Sequence, residues 1–426
     1  MERYRRLLGR REYRLLWTGA TISALGDGMS FLALVWLVLE RTNDPALVGV
    51  LAAVYTAPVV VGGLAAGLIL DRFDRRLVLI GDNAIRGLAM ASVPVAAFFG
   101  VLTTEHLFVV AAIYGLLFMV SLAGTPSVIP TLVEEDELNT ANAMETLSYG
   151  IAGLGGPALA GVAIALVSAP AVLAIDAATY GVFVLCLLAM QPLPAQAPAP
   201  VAADGGASGA PASSPAPSRG LGPAIRFVVA TPAILVLTLM YMTINVGEGM
   251  SGVYLPIYAR DVLGGDAATY GLLVTAFTAG ILVGSLIVGA IGWRWPLGRS
   301  IGAGAIAAGL ALGVLVLTPP LPVAIGAIAL SGAFASSLTA WGQTIRMRLI
   351  PPELRGRVFA LLRTLMQATG PIGAIIAGFL LAGGPIQPVL AVSAALVALP
   401  GFVGLVAPAM GRVATREPVA GEVASA

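Results

Sequence analysis

Polar positions in this chain are rare and bunched, and the apolar stretches between them recur at membrane-spanning length. Runs of about 20 apolar residues suffice to cross a bilayer as helices. Cutting the chain on that basis yields twelve predicted helices, at residues 15–39, 46–70, 77–101, 107–129, 143–167, 171–190, 234–258, 270–292, 300–318, 320–345, 358–381 and 389–409. Pro170, Pro319 and Pro320 mark corners between them. An even number of spans puts both chain ends on one side. Residues 191–222 break the pattern: they are Pro, Ala, Gly and Ser, with only Asp204 and Arg219 charged. Such a stretch buries too little apolar area to offset the entropy of ordering, and it reads as a flexible linker. It joins two six-helix bundles, residues 1–190 and 223–410, and residues 411–426 read as a loose tail.

The two halves resemble each other. Gly26-Asp27-Gly28-Met29-Ser30 returns as Gly247-Glu248-Gly249-Met250-Ser251, 221 residues later. Residues 49–70 laid on 271–292 give nine identities in 22 positions, among them Thr56/Thr278, Ala57/Ala279, Gly62/Gly284 and Gly67/Gly289. Duplication at this spacing is how many transporters are built. Asp27 and Glu248 each interrupt an apolar span, where a carboxylate costs about 2.5–3.5 kcal/mol on insertion scales and usually faces a cavity. Their flanking glycines read as loosening the helices, so that backbone groups meet water. The alternative for either acid is a structural hydrogen bond to Ser23, Asn245 or a neighbour.

Composition agrees with a lipid solvent. Hydrophobic residues make up 58% of the chain, charged residues 11%, and mean hydropathy is +0.93, whereas a soluble domain carries about 25% charge. There is no lysine, so all 23 basic residues are arginine. Only Arg41 and Arg260 fall in loops opposite the N-terminus, which itself carries Arg3, Arg5, Arg6, Arg10, Arg11 and Arg14. That asymmetry places both termini in the cytoplasm of a plasma-membrane protein. The apolar run after these arginines is too long for a signal peptide. Without lysine there is no phosphate-binding P-loop and no Schiff base. One histidine, His106, and one cysteine, Cys186, cannot form a metal centre of those ligands or a catalytic triad. The expectation is a protein with no cofactor, no metal, no nucleic-acid partner and no enzymatic activity.

The loop after the second span reads Gly67-Leu68-Ile69-Leu70-Asp71-Arg72-Phe73-Asp74-Arg75-Arg76. This resembles the G-x-x-x-D-R-x-G-R-R/K signature of the major facilitator superfamily, in the loop where that family carries it. Twelve spans, a duplication and a central linker extend the resemblance over the whole chain. Asp74 stands where the signature has glycine, similar to the branch that includes macrolide-efflux proteins and the enterobactin exporter; Asp82 and Arg86 fit that branch. The implied fold is all-α, twelve helices in two pseudo-symmetric bundles.

Asp71, at a helix end, can accept hydrogen bonds from a neighbouring helix N-terminus, where the dipole favours an anion. The resemblance makes that neighbour span eleven, giving a latch of Gly67, Asp71, Arg72, Asp74, Arg75 and Arg76 on the cytoplasmic side. Trp293 and Arg294 occupy the duplicated site, so the acid is lost there. Alternatively, these arginines only fix topology. Glu134, Glu135, Asp136 and Glu137 lie between spans four and five, and the matching loop carries Arg346, Arg348, Glu353, Arg355, Gly356 and Arg357. The opposite charges read either as bridges between halves or as a solvated helix start. Gly156-Pro157-Ala158-Leu159-Ala160-Gly161 resembles the antiporter motif G-P-x-x-G-G, with Ala160 replacing one glycine. Small-residue helix packing accounts for it equally well.

In the resembled fold, spans one, four, seven and ten line a central cavity. That implies Asp27 and Glu248 as proton-coupling or cavity acids and Tyr114, Met119, Tyr241, Asn245, Trp341 and Gln343 as substrate wall. Asp82 and Arg86 are read as neutralising each other at the cytoplasmic rim of span three, while Asp176 and Arg363 stay unassigned. The function implied is efflux of small amphipathic or cationic molecules in exchange for protons, by a monomer in the lipid bilayer. A siderophore or metabolite exporter, a lipid mover and a non-transporting receptor or assembly subunit are the alternatives.

Overall fold

The computed structural model describes residues 2–192, 222–290 and 297–411. Most of the predicted linker, the tail after residue 411, and the Trp293–Arg294 pair lie outside these described residues. Every regular element among them is helical. Twelve helices are long and apolar enough to span a membrane. They are Arg11–Thr42, Pro45–Thr56 continued by Pro58–Arg72, Arg75–Phe98, Thr104–Thr131, Glu135–Leu166, Ala169–Ala189, Pro232–Val262, Ala267–Ala290, Leu297–Leu317, Leu321–Leu349, Pro352–Ala382 and Ile386–Val406. Short helices, Glu2–Gly9 and Gly222–Ala230, precede spans one and seven.

Local chemistry sets the ends. Asp44 caps span two by accepting from the Ala46 amide at 2.8 Å, with Pro45 in the first turn where a missing N–H costs nothing. Thr103 and Ser168 cap spans four and six in the same way. Asn43 ends span one in the left-handed region, φ 49°. Pro58 interrupts span two, since its ring and lost amide break the helical ladder.

The described residues pack as two compact units: 2–192 with 255–275, and 222–254 with 276–290 and 297–411. The end of span seven and the start of span eight therefore side with the first unit. Arg260 donates to Asn43 Oδ1 at 2.8 Å, and Tyr270 stacks on Trp36 with centroids 6.3 Å apart.

Within each unit the helices meet at glycines, as they must where lipid removes the hydrophobic drive for association. A methyl group on Gly62 would lie 2.0 Å from Leu116 O, and one on Gly284 would lie 2.2 Å from Ala333 O. A methyl on Gly28 would lie 2.6 Å from Ala152 O, and one on Gly249 would lie 2.0 Å from Gly370 O. The repeated glycines thus make equivalent contacts: span two on four and eight on ten, span one on five and seven on eleven. Spans one and seven run unbroken through Asp27 and Glu248. The glycines beside the acids admit neighbouring backbone at Gly28, Gly247 and Gly249 and the Asp176 and Thr179 side chains at Gly26, and do not loosen the helix, because the space a loosened turn needs is already filled.

Gly62→Val is expected to destabilise the protein by about 1–3 kcal/mol through overpacking. Gly67, with no atom within 4 Å of an added methyl, is the control; Gly67→Ala should be neutral or stabilise by about 0.5–1 kcal/mol. Thermal midpoints of the detergent-purified variants check both.

Candidate functional site

In the first unit, spans one, three, four and six converge on one arginine. Asp82 and Arg86 are one turn apart on the inner face of Arg75–Phe98, and Arg86 is 1% exposed near the middle of that helix. Arg86 Nη2 donates to Asp82 Oδ2 at 2.8 Å and to Ser121 Oγ at 2.7 Å. Its Nη1 donates to Asp27 Oδ1 at 3.2 Å and to the Tyr180 hydroxyl at 3.1 Å. Tyr180 in turn donates to Asp27, and Ser121 donates to Asp82 Oδ2 at 2.6 Å. The guanidinium lies 4.6 Å from the Tyr180 ring centroid and 5.7 Å from that of Tyr114. Asp176, fully buried, accepts from Ser30 and from Thr179. Two carboxyls thus share one cation, and a third is buried in the same bundle. The Asp82–Arg86 pair forms, but Arg86 is shared with Asp27 deep in the membrane span and is not a self-contained pair at its rim.

Asp27 also faces a cleft of about 60 Å³, lined among others by Tyr13, Trp17, Phe118, Glu145 and Tyr149. Its described lining carries two acids and no basic side chain.

The second unit keeps the acid and drops its setting. Residues 49–70 and 271–292 are offset by 222, since 271 − 49 = 222. The next spans keep that offset in their packing: an added methyl on Gly87 would meet Ala177 O of span six, and one on Gly309, 222 residues on, would meet Ala394 O of span twelve. Gly304 and Ala308 therefore stand where the first unit has Asp82 and Arg86. Spans six and twelve start at Ala169 and Ile386, which places Ser393 and Val397 opposite Asp176 and Tyr180. Packing supports that register: an added methyl on Gly26 would meet Asp176, and one on Gly247 would meet Ser393 and Val397. Glu248 is exposed to a cavity of about 190 Å³ lined by Tyr241, Asn245, Phe277, Ala308 and Val397, among others. Among the described residues its carboxylate makes no hydrogen bond or ion pair.

The predicted wall residues separate. Tyr241 and Asn245 line this second cavity. Tyr241 donates to Leu338 O at 2.5 Å and Asn245 to Met366 O at 2.8 Å. Tyr114 is buried behind Asp27, stacked on Tyr55 with centroids 4.3 Å apart. Met119 lies over Gly63 of span two, Trp341 packs on the core of the second unit, and Gln343 is half-buried. Arg363 is exposed.

The loop motif has clear local work. Asp74 caps span three through the Leu77 amide at 3.1 Å, which gives the departure from glycine a structural reason. Arg75 donates to Ser127 O at 2.7 Å, and Arg76 to Leu187 O at 2.7 Å and Leu188 O at 3.1 Å. These are carbonyls at the ends of spans four and six, where the negative end of the helix dipole lies. Asp71 and Arg72 are exposed at the end of Pro58–Arg72. In the antiporter-like motif, a methyl on Gly156 would lie 2.7 Å from Gly28 Cα, and one on Gly161 would lie 2.7 Å from Ala267 O. Pro157 is buried between them.

The acidic loop is tied within its own unit. Arg10 bridges Glu134 at 2.5 Å and Glu137 at 2.9 Å. The hydrogen bond from Arg10 holds the Glu134 carboxyl below the ordinary glutamate value, and the same bond raises Arg10. Sequence reasoning missed three participants: Tyr180, Ser121 and Glu145. The signal for Tyr180 was its place one turn after Asp176; for Glu145, an acid just inside the predicted fifth span. Among the described residues no group of three or more His, Cys, Asp or Glu side chains is placed to hold a metal.

Solved structures share this architecture. A nucleoside transporter superposes with TM-score 0.73 at 12% identity, covering 92% of this chain and 98% of its own. A bacterial homologue of the iron transporter ferroportin gives 0.66 at 19% identity, covering 93% and 98%. The fold is that of the major facilitator superfamily, a multi-pass membrane transporter fold. Over residues 7–417 the chain matches the superfamily's transmembrane secretion effector family, and it belongs to that family. Its relatives include the multidrug efflux pump Tap of Mycobacterium tuberculosis, 27% identical over 376 residues and 85% of each chain. Macrolide efflux protein A of Streptococcus pyogenes is 23% identical over 370 residues, 86% of this chain and 88% of its own. Membership makes this chain a transporter and not an enzyme.

Arg86→Met should cost about 3–5 kcal/mol, because it strands buried carboxylates without their cation. Adding Asp82→Asn should restore part of that loss, read as the thermal midpoint of the double variant against the single one. The Arg10–Glu134 contact has a definite pH dependence. Because folding lowers the Glu134 value, its contribution is present above 4.5 and lost as pH falls through the lowered value. Arg10 stays charged throughout. The midpoint of the native chain should exceed that of Glu134→Gln at pH 7, and the difference should vanish in acid.

Proposed function

We propose that this protein exports small amphipathic molecules across the plasma membrane by alternating access, driven by inward proton flow through the Asp27 cluster. The observation that carries this reading is the sharing of one guanidinium by two carboxyls, Asp27 and Asp82, inside a membrane span, with a third buried carboxyl, Asp176, in the same bundle and without a basic partner among the described residues. Fully ionised, Asp27, Asp82, Asp176 and Arg86 would leave two uncompensated negative charges where desolvation is costly. Proton uptake reduces that excess, so the cluster is built to accept a proton. Asp27 is the member that meets a cleft, its side chain being 17% exposed against 1% for Asp82. A proton on Asp27 weakens its pair with Arg86, and the guanidinium then rests on Asp82 and Ser121. Spans one and three are thereby uncoupled, a local charge change that biases a two-state packing.

The relatives' names, a multidrug pump and a macrolide efflux protein, support export of amphipathic compounds. The arginine asymmetry supports both termini on the cytoplasmic side. Asp71 is read as a latch residue on that side.

The test uses inverted vesicles with an imposed proton gradient and a panel of dyes and macrolides. Asp27→Asn should abolish gradient-driven uptake while substrate binding stays measurable. Asp71→Asn should fold normally and transport severalfold more slowly. Coupled transport by Asp27→Asn at the native rate would remove the cluster from the mechanism.

A further inference from the structure

The cavity beside Glu248 has the outline of something the other unit contains. In the first unit the acid of span one is met by a guanidinium from span three and a phenol from span six, and a hydroxyl from span four accepts from that guanidinium. Spans four and ten start at Thr104 and Leu321, the same spacing as spans six and twelve, so the corresponding positions in the second unit are Ala308, Leu338 and Val397, and all three line the cavity. The space near Glu248 is what remains when Arg86 and its partners are reduced to small or apolar side chains on the same frame. The frame itself is kept, as the matched contacts at Gly28/Gly249 and Gly26/Gly247 require.

An intramembrane carboxylate needs a cation or water. Here the lining offers no cation: Glu248 is its one charged member among the described residues. Arg346 stacks on the Tyr241 ring at 4.4 Å but is absent from the lining. The walls suit a flat organic cation. Tyr241 and Phe277 present aromatic surface, which attracts cations by about 0.5–2 kcal/mol. Asn245 has its amide nitrogen engaged by Met366 O, leaving its carbonyl oxygen as an acceptor. The volume, about 190 Å³, exceeds the roughly 150 Å³ of a cavity that holds benzene.

We infer that this cavity binds the cationic head of the exported molecule, an amidinium, guanidinium or protonated amine, with Glu248 as counter-ion, in the place Arg86 fills in the first unit. "Exported" rests on the function proposed above; the binding site does not. The first unit thus carries its cation permanently, and the second takes one from the substrate.

Benzamidine and benzamide test this, being nearly the same shape with and without charge. Binding is measured on the purified full chain in detergent, by ligand-observed NMR and thermal shift, with no gradient. The native protein should bind benzamidine at least tenfold more tightly than benzamide. Glu248→Gln should bring that ratio below about three. Ala308→Arg, which supplies the missing guanidinium from the chain itself, should abolish benzamidine binding at an unchanged thermal midpoint. Should Ala308→Arg fail to fold, Glu248→Gln decides alone. Equal binding of the two probes to the native chain, an undiminished ratio in Glu248→Gln, or retained binding in folded Ala308→Arg overturns the inference. Failure of the export reading would show separately, as absent vesicle transport by a chain that still distinguishes the two probes.

Discussion

Helices in lipid gain little from burying apolar side chains against one another, so backbone must come close to backbone. That requirement governs this protein. Gly26 and Gly28 bring span one against spans six and five, and Gly247 and Gly249 do the same for span seven. Each acid sits between two such contacts, main chain at Gly28, Gly247 and Gly249 and the Asp176 and Thr179 side chains at Gly26, and is fixed by them in depth and direction. A larger residue on either side would push the neighbouring helix away and turn the carboxylate with it. The repeated pentapeptide is first a packing device, and its chemistry depends on that.

On this common frame the two units carry different contents. The first surrounds Asp27 with hydrogen-bond donors and a resident arginine. The second leaves Glu248 facing open space. Division of labour follows from geometry, since a carboxylate already engaged by a guanidinium and a phenol is poorly placed to hold a ligand. An open one cannot rely on its own unit for neutralisation.

The twelve spans were legible because the bilayer imposes one length and one composition, and the duplication because glycines at backbone contacts tolerate no replacement. Asp27, Tyr241 and Asn245 could be singled out as polar groups in apolar helices. What the pattern did not give is which faces meet. Asp82 and Arg86 explain each other locally, so nothing in their spacing shows that Arg86 also reaches Asp27, 59 residues away. The acidic loop faced the same difficulty: several arginines could pair with Glu134, and only packing of the N-terminal helix selects Arg10. The glycines flanking the acids were read as weakening the helix because their neighbours on other spans are invisible in one dimension.

The matched frame also restricts how the two halves can have diverged. An ancestral bundle that carried the charged cluster in both copies could not have shed the arginine of the second copy first, because several carboxylates would then have been left in the membrane without a cation. The acids at the positions of Gly304 and Ser393 had to go before Ala308 appeared, or along with it. A single acid, Glu248, was then tolerable because the lost side chains opened a space that water can enter. Cavity and lone carboxylate would on that route have arisen together, each making the other permissible.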